Sequence, residues 1–180
     1  MQTGSKVTLF HEGDVVGIPW LAYTCGYCKY CLQGKENLCE NALFTGYTVN
    51  GGYAEYTVAY ENYCFKLPSL YAQPSAAPLL CAGLIGFRSY RMIPFYAEHI
   101  GLYGFGAAAH LLIQLACFQK KKIYAFTRQG DEAAQQFALQ LGAIWAGSSL
   151  DKPPVPLDAA ILFAPVGDLI PKALTDVDKG

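Results

Sequence analysis

The chain has 180 residues, with 13 Lys and Arg against 14 Asp and Glu and a net charge of −1. This balance excludes the dense positive charge with which proteins bind nucleic acids or an anionic membrane surface. Hydrophobic residues form 53% of the sequence, which is enough to bury a core, yet no apolar run reaches the roughly 18 residues that span a bilayer. We therefore predict a soluble protein without a nucleic-acid or membrane partner.

The first 90 residues are punctuated by glycines and contain short alternating runs of apolar and polar residues. Alternation with a period of two is typical of strands that are buried on one face. We predict strands at residues 13–18 and 52–58 and an antiparallel arrangement for this half. The predicted domain boundary lies after residue 90, where the character of the sequence changes.

Four cysteines in this half have the spacing C-x2-C-x2-C-x7-C, namely Cys25, Cys28, Cys31 and Cys39. Thiolates separated by two residues can turn back on one ion, and four thiolates complete the tetrahedron that structural Zn²⁺ adopts. Gly26 and Gly34 supply the backbone freedom for the sharp bends. The spacing predicts a closed structural zinc site, and disulfides or an iron–sulfur cluster are the alternatives.

The remaining cysteines are Cys64, Cys81 and Cys117, which leaves an odd number for disulfide pairing. We predict that they are free thiols, as expected in a reducing compartment. The first residues also lack the apolar core of a signal peptide. The predicted location is therefore the cytoplasm.

After residue 90 strand and helix patterns alternate along the chain. The sequence predicts helices and strands in the following order: a strand at 99–104, a helix at 107–119, a strand at 122–126, a helix at 131–141, and strands at 143–146 and 158–163. Strands that are joined by helices run parallel, and right-handed crossovers stack them into a doubly wound sheet. This half is therefore predicted to be α/β.

The turn between the first strand and the first helix of this half reads G-x-G-x-x-A. In a dinucleotide-binding turn, Gly104 would allow the tight bend, Gly106 would let a pyrophosphate approach the backbone, and Ala109 would keep helix and strand close. The free N–H groups at the helix N-terminus would bind the anion. A glycine turn without any ligand is the alternative, because the motif alone is weak.

The next strand ends at Thr127 and Arg128, where an NAD-binding fold carries an acidic residue for the ribose hydroxyls. A guanidinium suits a ribose 2′-phosphate, which a carboxylate would repel. We predict that Thr127 and Arg128 contact the cofactor and that NADP(H) is preferred, with NAD(H) as the alternative. Arg128 could also be an ordinary exposed turn residue.

Together these segments resemble the zinc-dependent alcohol dehydrogenases of the medium-chain dehydrogenase/reductase superfamily. Besides the cysteine lobe and the glycine motif, the resemblance is carried by Gly13-Asp14-x-Val16-Gly17, Gly51-Gly52-Tyr53-Ala54-Glu55-Tyr56 and Pro78-Leu79-Leu80-Cys81-Ala82-Gly83. It implies a partial GroES-like β-barrel with a zinc lobe in residues 1–90 and an incomplete Rossmann doubly wound parallel sheet in residues 91–180. It also implies that Cys81 corresponds to a ligand of the catalytic zinc.

The sequence departs from the family pattern in several places. The upstream segments that supply the other cysteine and the histidine ligand of the catalytic zinc do not occur, and His11 directly precedes the Gly-Asp strand, so we predict that it is a surface residue. Ile85 stands where many relatives carry Thr near the nicotinamide. The later strands of the coenzyme domain are also missing. We therefore expect a chain that is truncated at both ends, has no complete catalytic set and is inactive alone.

The leading hypothesis is an oxidoreductase that interconverts small alcohols and aldehydes with NADP(H), present here as a fragment. The alternative is a non-catalytic zinc-binding, self-associating module or an inert remnant. The family resemblance implies a homo-oligomer, since the coenzyme domain of intact relatives makes subunit contacts. Whether this chain is itself an enzyme, and on which substrate, is left open by the sequence.

Overall fold

The computed structural model describes residues 2–179, which fall into an amino-terminal unit, Met1–Cys81, and a carboxy-terminal unit, Ala82–Gly180. The amino-terminal unit has four short strands: β1 (Val16–Gly17), β2 (Leu21–Tyr23), β3 (Leu43–Phe44) and β4 (Phe65–Lys66). It also has five 3₁₀ segments: Cys31–Gln33, Glu36–Leu38, Glu61–Tyr63, Ser69–Tyr71 and Pro74–Leu80. No helix in the described range 2–179 is both long and apolar enough to cross a bilayer.

Two antiparallel ladders organise the amino-terminal unit, one between β1 and β4 and one between β2 and β3. The second ladder is reinforced by the ring of Trp20, which stacks on Phe44 with 4.9 Å between centroids. An offset aromatic pair of this kind contributes about 0.5–1.5 kcal/mol beyond its buried area. The Tyr63 hydroxyl lies 2.7 Å from both the N–H and the hydroxyl of Thr24, and so anchors the chain where it enters the cysteine loop.

The strands predicted for this unit are largely wrong in their extent. Of residues 13–18 only Val16 and Gly17 are in a strand, and residues 52–58 form none. The large apolar side chains of this segment, Tyr53, Tyr56 and Val58, are each more than 90% exposed. A segment with alternating residues forms a strand only where a neighbouring strand pairs with its backbone N–H and C=O groups. No described residue pairs with the segment 52–58 in this way.

The carboxy-terminal unit alternates helices and strands. Its elements are α1 (Ala82–Tyr90), β5 (His99–Tyr103), α2 (Ala107–Phe118), β6 (Lys122–Thr127), α3 (Glu132–Gln140), β7 (Trp145–Ser148), β8 (Ala159–Leu162) and α4 (Leu169–Asp176). The strands form one parallel sheet in the order β7-β6-β5-β8. The predicted α/β class and partial Rossmann sheet are confirmed. Only β7 is displaced by two residues, because Ala143 still bonds to Ala138 at the end of α3.

Alternate residues of the central strands pack on opposite faces of the sheet. On one face Ile100 and Leu102 join a core that includes residues of α2, while on the other face Tyr103 stacks on Phe126 with 4.0 Å between ring centroids. The Tyr103 hydroxyl donates to the buried Asp176 carboxylate at 2.5 Å, and Lys172 also bonds to that carboxylate. Burial, together with Asp176, raises the pKa of Tyr103. The neutral phenol therefore remains a donor that links α4 to the sheet.

Candidate metal centre and dinucleotide-binding turn

The four cysteines of the predicted zinc lobe lie in one compact loop. Gly26 (φ +77°) and Gly34 (φ +68°) occupy the left-handed region, which only glycine adopts at little cost. Gly34 closes the short helix Cys31–Gln33 by donating its N–H to the carbonyl of Cys31. These local turns, rather than contacts with distant chain, bring the thiols together.

All four sulfur atoms lie within 4.8 Å of one another, and this is the one cluster of three or more potential ligands found among residues 2–179. The sulfurs of Cys28 and Cys31 are 3.5 Å apart, those of Cys25 and Cys39 3.6 Å, and those of Cys25 and Cys31 4.0 Å. A tetrahedral ion with Zn–S bonds of about 2.3 Å places its ligands roughly 3.8 Å apart. The cluster therefore fits one zinc ion, and none of these cysteines is in a disulfide.

The thiol of Cys25 is prepared for metal binding by its surroundings. Burial raises the pKa of this thiol, but the N–H groups of Tyr27 and Cys28 and the neighbouring thiols of Cys39 and Cys28 together lower it to about 6. The Cys28 N–H lies 3.4 Å from the Cys25 sulfur, and the Cys25 N–H lies 3.5 Å from the Cys39 sulfur. A thiolate at neutral pH is the form that binds zinc.

Cys81 lies apart from this cluster. It is exposed and follows the 3₁₀ segment Pro74–Leu80, whose carbonyl of Pro78 accepts its N–H. Of the three histidines, His11 is exposed, His99 bonds through Nδ1 to the Tyr124 hydroxyl, and His110 packs edge-on against Phe137. None of them joins Cys81 in a described cluster of potential metal ligands.

We expect Cys81→Ser to leave both the zinc content and the melting temperature of this chain unchanged, because the side chain is exposed and lies outside the four-sulfur cluster. Elemental analysis and a thermal melt of the variant check this prediction. A drop in bound zinc would reveal a second metal site that includes Cys81.

The glycine turn joins β5 to α2 at the carboxyl edge of the sheet. Gly104 has φ +91°, and a Cβ there would lie 2.7 Å from the backbone nitrogen of Ala164. Gly106 precedes α2 with φ −95°, and a Cβ there would meet no atom within 4 Å. Ala109 is fully buried in the core. Gly104 is thus required by the fold, while Gly106 leaves open space at a helix N-terminus, where an anion can approach unpaired N–H groups.

The two residues predicted to contact the cofactor at the end of β6 have different surroundings. Arg128 is exposed. Thr127 is only 3% exposed, and its hydroxyl lies 3.3 Å from the carbonyl of Gly147 and 3.1 Å from Nε2 of Gln135. The structure therefore leaves the guanidinium free for a ligand and engages the hydroxyl within the protein.

Residues 1–69 match the family described as the alcohol dehydrogenase GroES-like domain. Over 172 residues the chain is 51% identical to "Probable alcohol dehydrogenase AdhA" of Mycobacterium tuberculosis, an alignment that covers 95% of this chain and 49% of the relative. The chain is thus a relative of the alcohol dehydrogenases, and its amino-terminal part belongs to their GroES-like domain family. It spans less than half the length of the curated alcohol dehydrogenases that it matches.

Two solved structures have the same fold as this chain. The CAD protein of Helicobacter pylori, in complex with NADP(H), superposes with a TM-score of 0.78 and 26% identity over 92% of this chain and 50% of that chain. The acetophenone reductase of Geotrichum candidum, in complex with NAD, superposes with a TM-score of 0.83 and 25% identity over 99% of this chain and 53% of that chain. Of these two solved proteins, one thus holds NADP(H) and the other NAD.

Two residues near the glycine turn and Arg128 were missed by the sequence analysis. Ala164 closes the space beside Gly104, and Gln135 of α3 bonds to Thr127. Ala164 carries no chemical signal in the sequence. Gln135 lies in the first turn of α3, four residues after the N-cap Asp131. This position in the helix was the one signal that the sequence offered for its role.

Proposed function

We propose that this chain belongs to an oxidoreductase that interconverts small alcohols and aldehydes with NADP(H). The observation that carries the proposal is the turn between β5 and α2, in which Gly106 leaves open space at the helix N-terminus in a chain 51% identical to an alcohol dehydrogenase. When bound, the nicotinamide cofactor accepts or donates the hydride. The chain's own part is to bind and orient that cofactor.

Each residue of the cofactor site has a separate task in this proposal. The N–H groups that follow Gly106 bind the pyrophosphate, and buried Ala109 holds α2 against the sheet. The exposed guanidinium of Arg128 binds the ribose 2′-phosphate, which favours NADP(H) over NAD(H). Thr127 lies at the same strand end, and its engaged hydroxyl supports this turn.

Two zinc sites have to be distinguished. The four-cysteine cluster fits a closed structural zinc ion, whose role is to stabilise the loop and not to take part in the reaction. In the family the second zinc ion, when bound, polarises the alcohol oxygen. Cys81 is proposed as one of its ligands, but the described residues bring no other potential ligand into a cluster with it. The described residues do not form the catalytic zinc site by themselves, and we assign no step of the reaction to the catalytic zinc ion.

We also propose that the chain is inactive alone, that it functions in the cytoplasm, and that it forms a homo-oligomer. The proposed location is supported by the four-cysteine cluster, whose thiolates bind a metal only while they are reduced. The second candidate function is that of a zinc-binding module that self-associates without catalysis. It is favoured by the exposed aromatic residues of the unpaired segment 52–58, which offers apolar surface and free backbone groups.

The test of the proposal is an elemental analysis of zinc on the purified chain, together with a titration with NADPH followed by fluorescence. About one zinc ion per chain with NADPH binding supports the proposal. One zinc ion without binding of either nicotinamide dinucleotide contradicts it and favours the non-catalytic module, whose self-association is then measured by sedimentation.

We expect Arg128→Ala to weaken NADPH binding about tenfold and to leave NADH binding unchanged, because only NADPH carries the phosphate that the guanidinium binds. Gln129→Ala is the matched control, since Gln129 is the next exposed residue of the same turn. An equal loss of affinity for both cofactors would remove the argument for the 2′-phosphate.

A further inference from the structure

The hydroxyl of Thr127 is the centre of a buried hydrogen-bond network at the end of β6. Its oxygen accepts from Nε2 of Gln135 at 3.1 Å and lies 3.2 Å from the carbonyl of Arg128 and 3.3 Å from that of Gly147. A hydroxyl has one proton, so the donor from Gln135 leaves that proton for the two carbonyl oxygens. Helix α3 is thereby joined to the backbone of Arg128 and to β7.

Other contacts fix the same turn from its two sides. The carbonyl of Thr127 accepts the N–H of Ser149 at 2.7 Å, and the carbonyl of Arg128 accepts the N–H of Asp131 at 3.1 Å. Gly130 provides the left-handed residue of the turn, with φ +77°. The backbone of Arg128 is therefore held in place, whereas its side chain is exposed.

The bond from Gln135 is the one contact of this network that a side chain of α3 contributes. It is half-buried, so water competes for it less than at the surface. Without it, the Thr127 hydroxyl is held only by its own proton, which the carbonyls of Arg128 and Gly147 share. The direction in which the Arg128 side chain leaves the backbone would then be less well defined.

We propose that Gln135 is a positioning residue for cofactor selection, acting through Thr127 on Arg128. This inference rests on the proposed NADP(H) site. A guanidinium that starts from a fixed backbone loses less conformational freedom when it binds a phosphate, so pre-organisation raises affinity for the phosphorylated cofactor only. Gln135 contacts no ligand itself.

The test compares Gln135→Leu with Gln136→Leu in the 180-residue chain. Both are the same substitution on the same helix, but Gln136 is exposed. We expect Gln135→Leu to lower the ratio of NADPH affinity to NADH affinity about three- to tenfold, as the loss of one hydrogen bond would, and Gln136→Leu to leave it unchanged. Gln135→Met, which keeps an unbranched side chain without a donor, repeats the measurement should the leucine variant melt early.

The double variant Thr127→Val with Gln135→Leu separates positioning from general loosening of the fold. Because Gln135 acts through the Thr127 hydroxyl, adding Gln135→Leu to Thr127→Val is expected to lower the selectivity no further than Thr127→Val does alone. Additive losses, or a fall in affinity for both cofactors together, would overturn the inference.

Arg128→Ala distinguishes failure of this inference from failure of the proposed function. If Arg128→Ala abolishes the preference for NADPH while Gln135→Leu and Gln135→Met retain it, the inference is wrong and the proposed function stands. If the unsubstituted chain shows no preference for NADPH, the proposed cofactor is wrong and the inference falls with it.

Discussion

Substitution of Cys28 by serine is expected to remove zinc from the chain and to lower its melting temperature by roughly 10 °C or more. The sulfur of Cys28 lies 3.5 Å from that of Cys31, in a cluster whose four sulfurs are all within 4.8 Å of one another. A hydroxyl does not ionise at neutral pH, so three thiolates would have to hold the ion. Since Cys39 is the one buried residue of the loop 25–39, the loop has little apolar core of its own, and the free energy of metal binding is also free energy of folding.

Cys64→Ser is the matched control for Cys28→Ser. Cys64 is also a half-buried thiol of the amino-terminal unit, but it lies outside the four-sulfur cluster and donates to the carbonyl of Tyr60, a bond that serine can also make. Zinc content by elemental analysis and a thermal melt in metal-replete buffer are measured for both variants. An unchanged melt of Cys28→Ser, with one zinc ion per chain retained, would refute the assignment of the four thiolates.

Alanine at Gly104 is expected to destabilise the carboxy-terminal unit by about 2–5 kcal/mol and to abolish cofactor binding. Two separate penalties combine at this position. The backbone has φ +91°, which residues with a Cβ rarely adopt, and the added Cβ would lie 2.7 Å from the backbone nitrogen and 2.8 Å from the Cβ of Ala164. Ala164 lies two residues beyond β8, and its N–H donates to the carbonyl of Tyr103 at 3.1 Å, so its backbone nitrogen cannot move without disturbing that bond.

Alanine at Gly106 separates the stability effect from the binding effect. The φ of −95° is accessible to any residue, and a Cβ would meet no protein atom within 4 Å. We therefore expect a melting temperature within a few degrees of that of the unsubstituted chain, and loss of NADPH binding because the methyl group occupies the space of the pyrophosphate. Thermal melts and fluorescence titrations of both glycine variants test this contrast. Retained NADPH binding by Gly106→Ala would show that the cofactor does not bind at this turn.

The sequence alone predicted much of the carboxy-terminal unit. Helices α2 and α3 and strand β6 lie within one residue of their predicted bounds, because apolar periodicity, the N-cap Asp131 and the glycines at the turns are local signals. The parallel order of the strands followed from their helical connections. The cysteine spacing likewise predicted a four-sulfur cluster, and the four sulfurs do lie together.

The amino-terminal strands were harder to predict for a physical reason. Residues 52–58 alternate like a strand, but no described residue pairs with them, whereas the two-residue strands β1 and β4 pair across about fifty residues of sequence. Pairing at such separation depends on where the chain returns, and a pattern of side chains does not contain that information.

The sequence by itself determined the class of the fold, the cysteine lobe and the position of the glycine turn, since each depends on residues within one or two turns of chain. Only the tertiary structure decided which groups remain free for a ligand. It placed the Thr127 hydroxyl between Gln135 and the carbonyl of Gly147 and left the Arg128 side chain exposed. It also placed Ala164 against Gly104. These contacts join residues 8 to 60 positions apart, and close packing of the folded chain, not local preference, sets which of them meet.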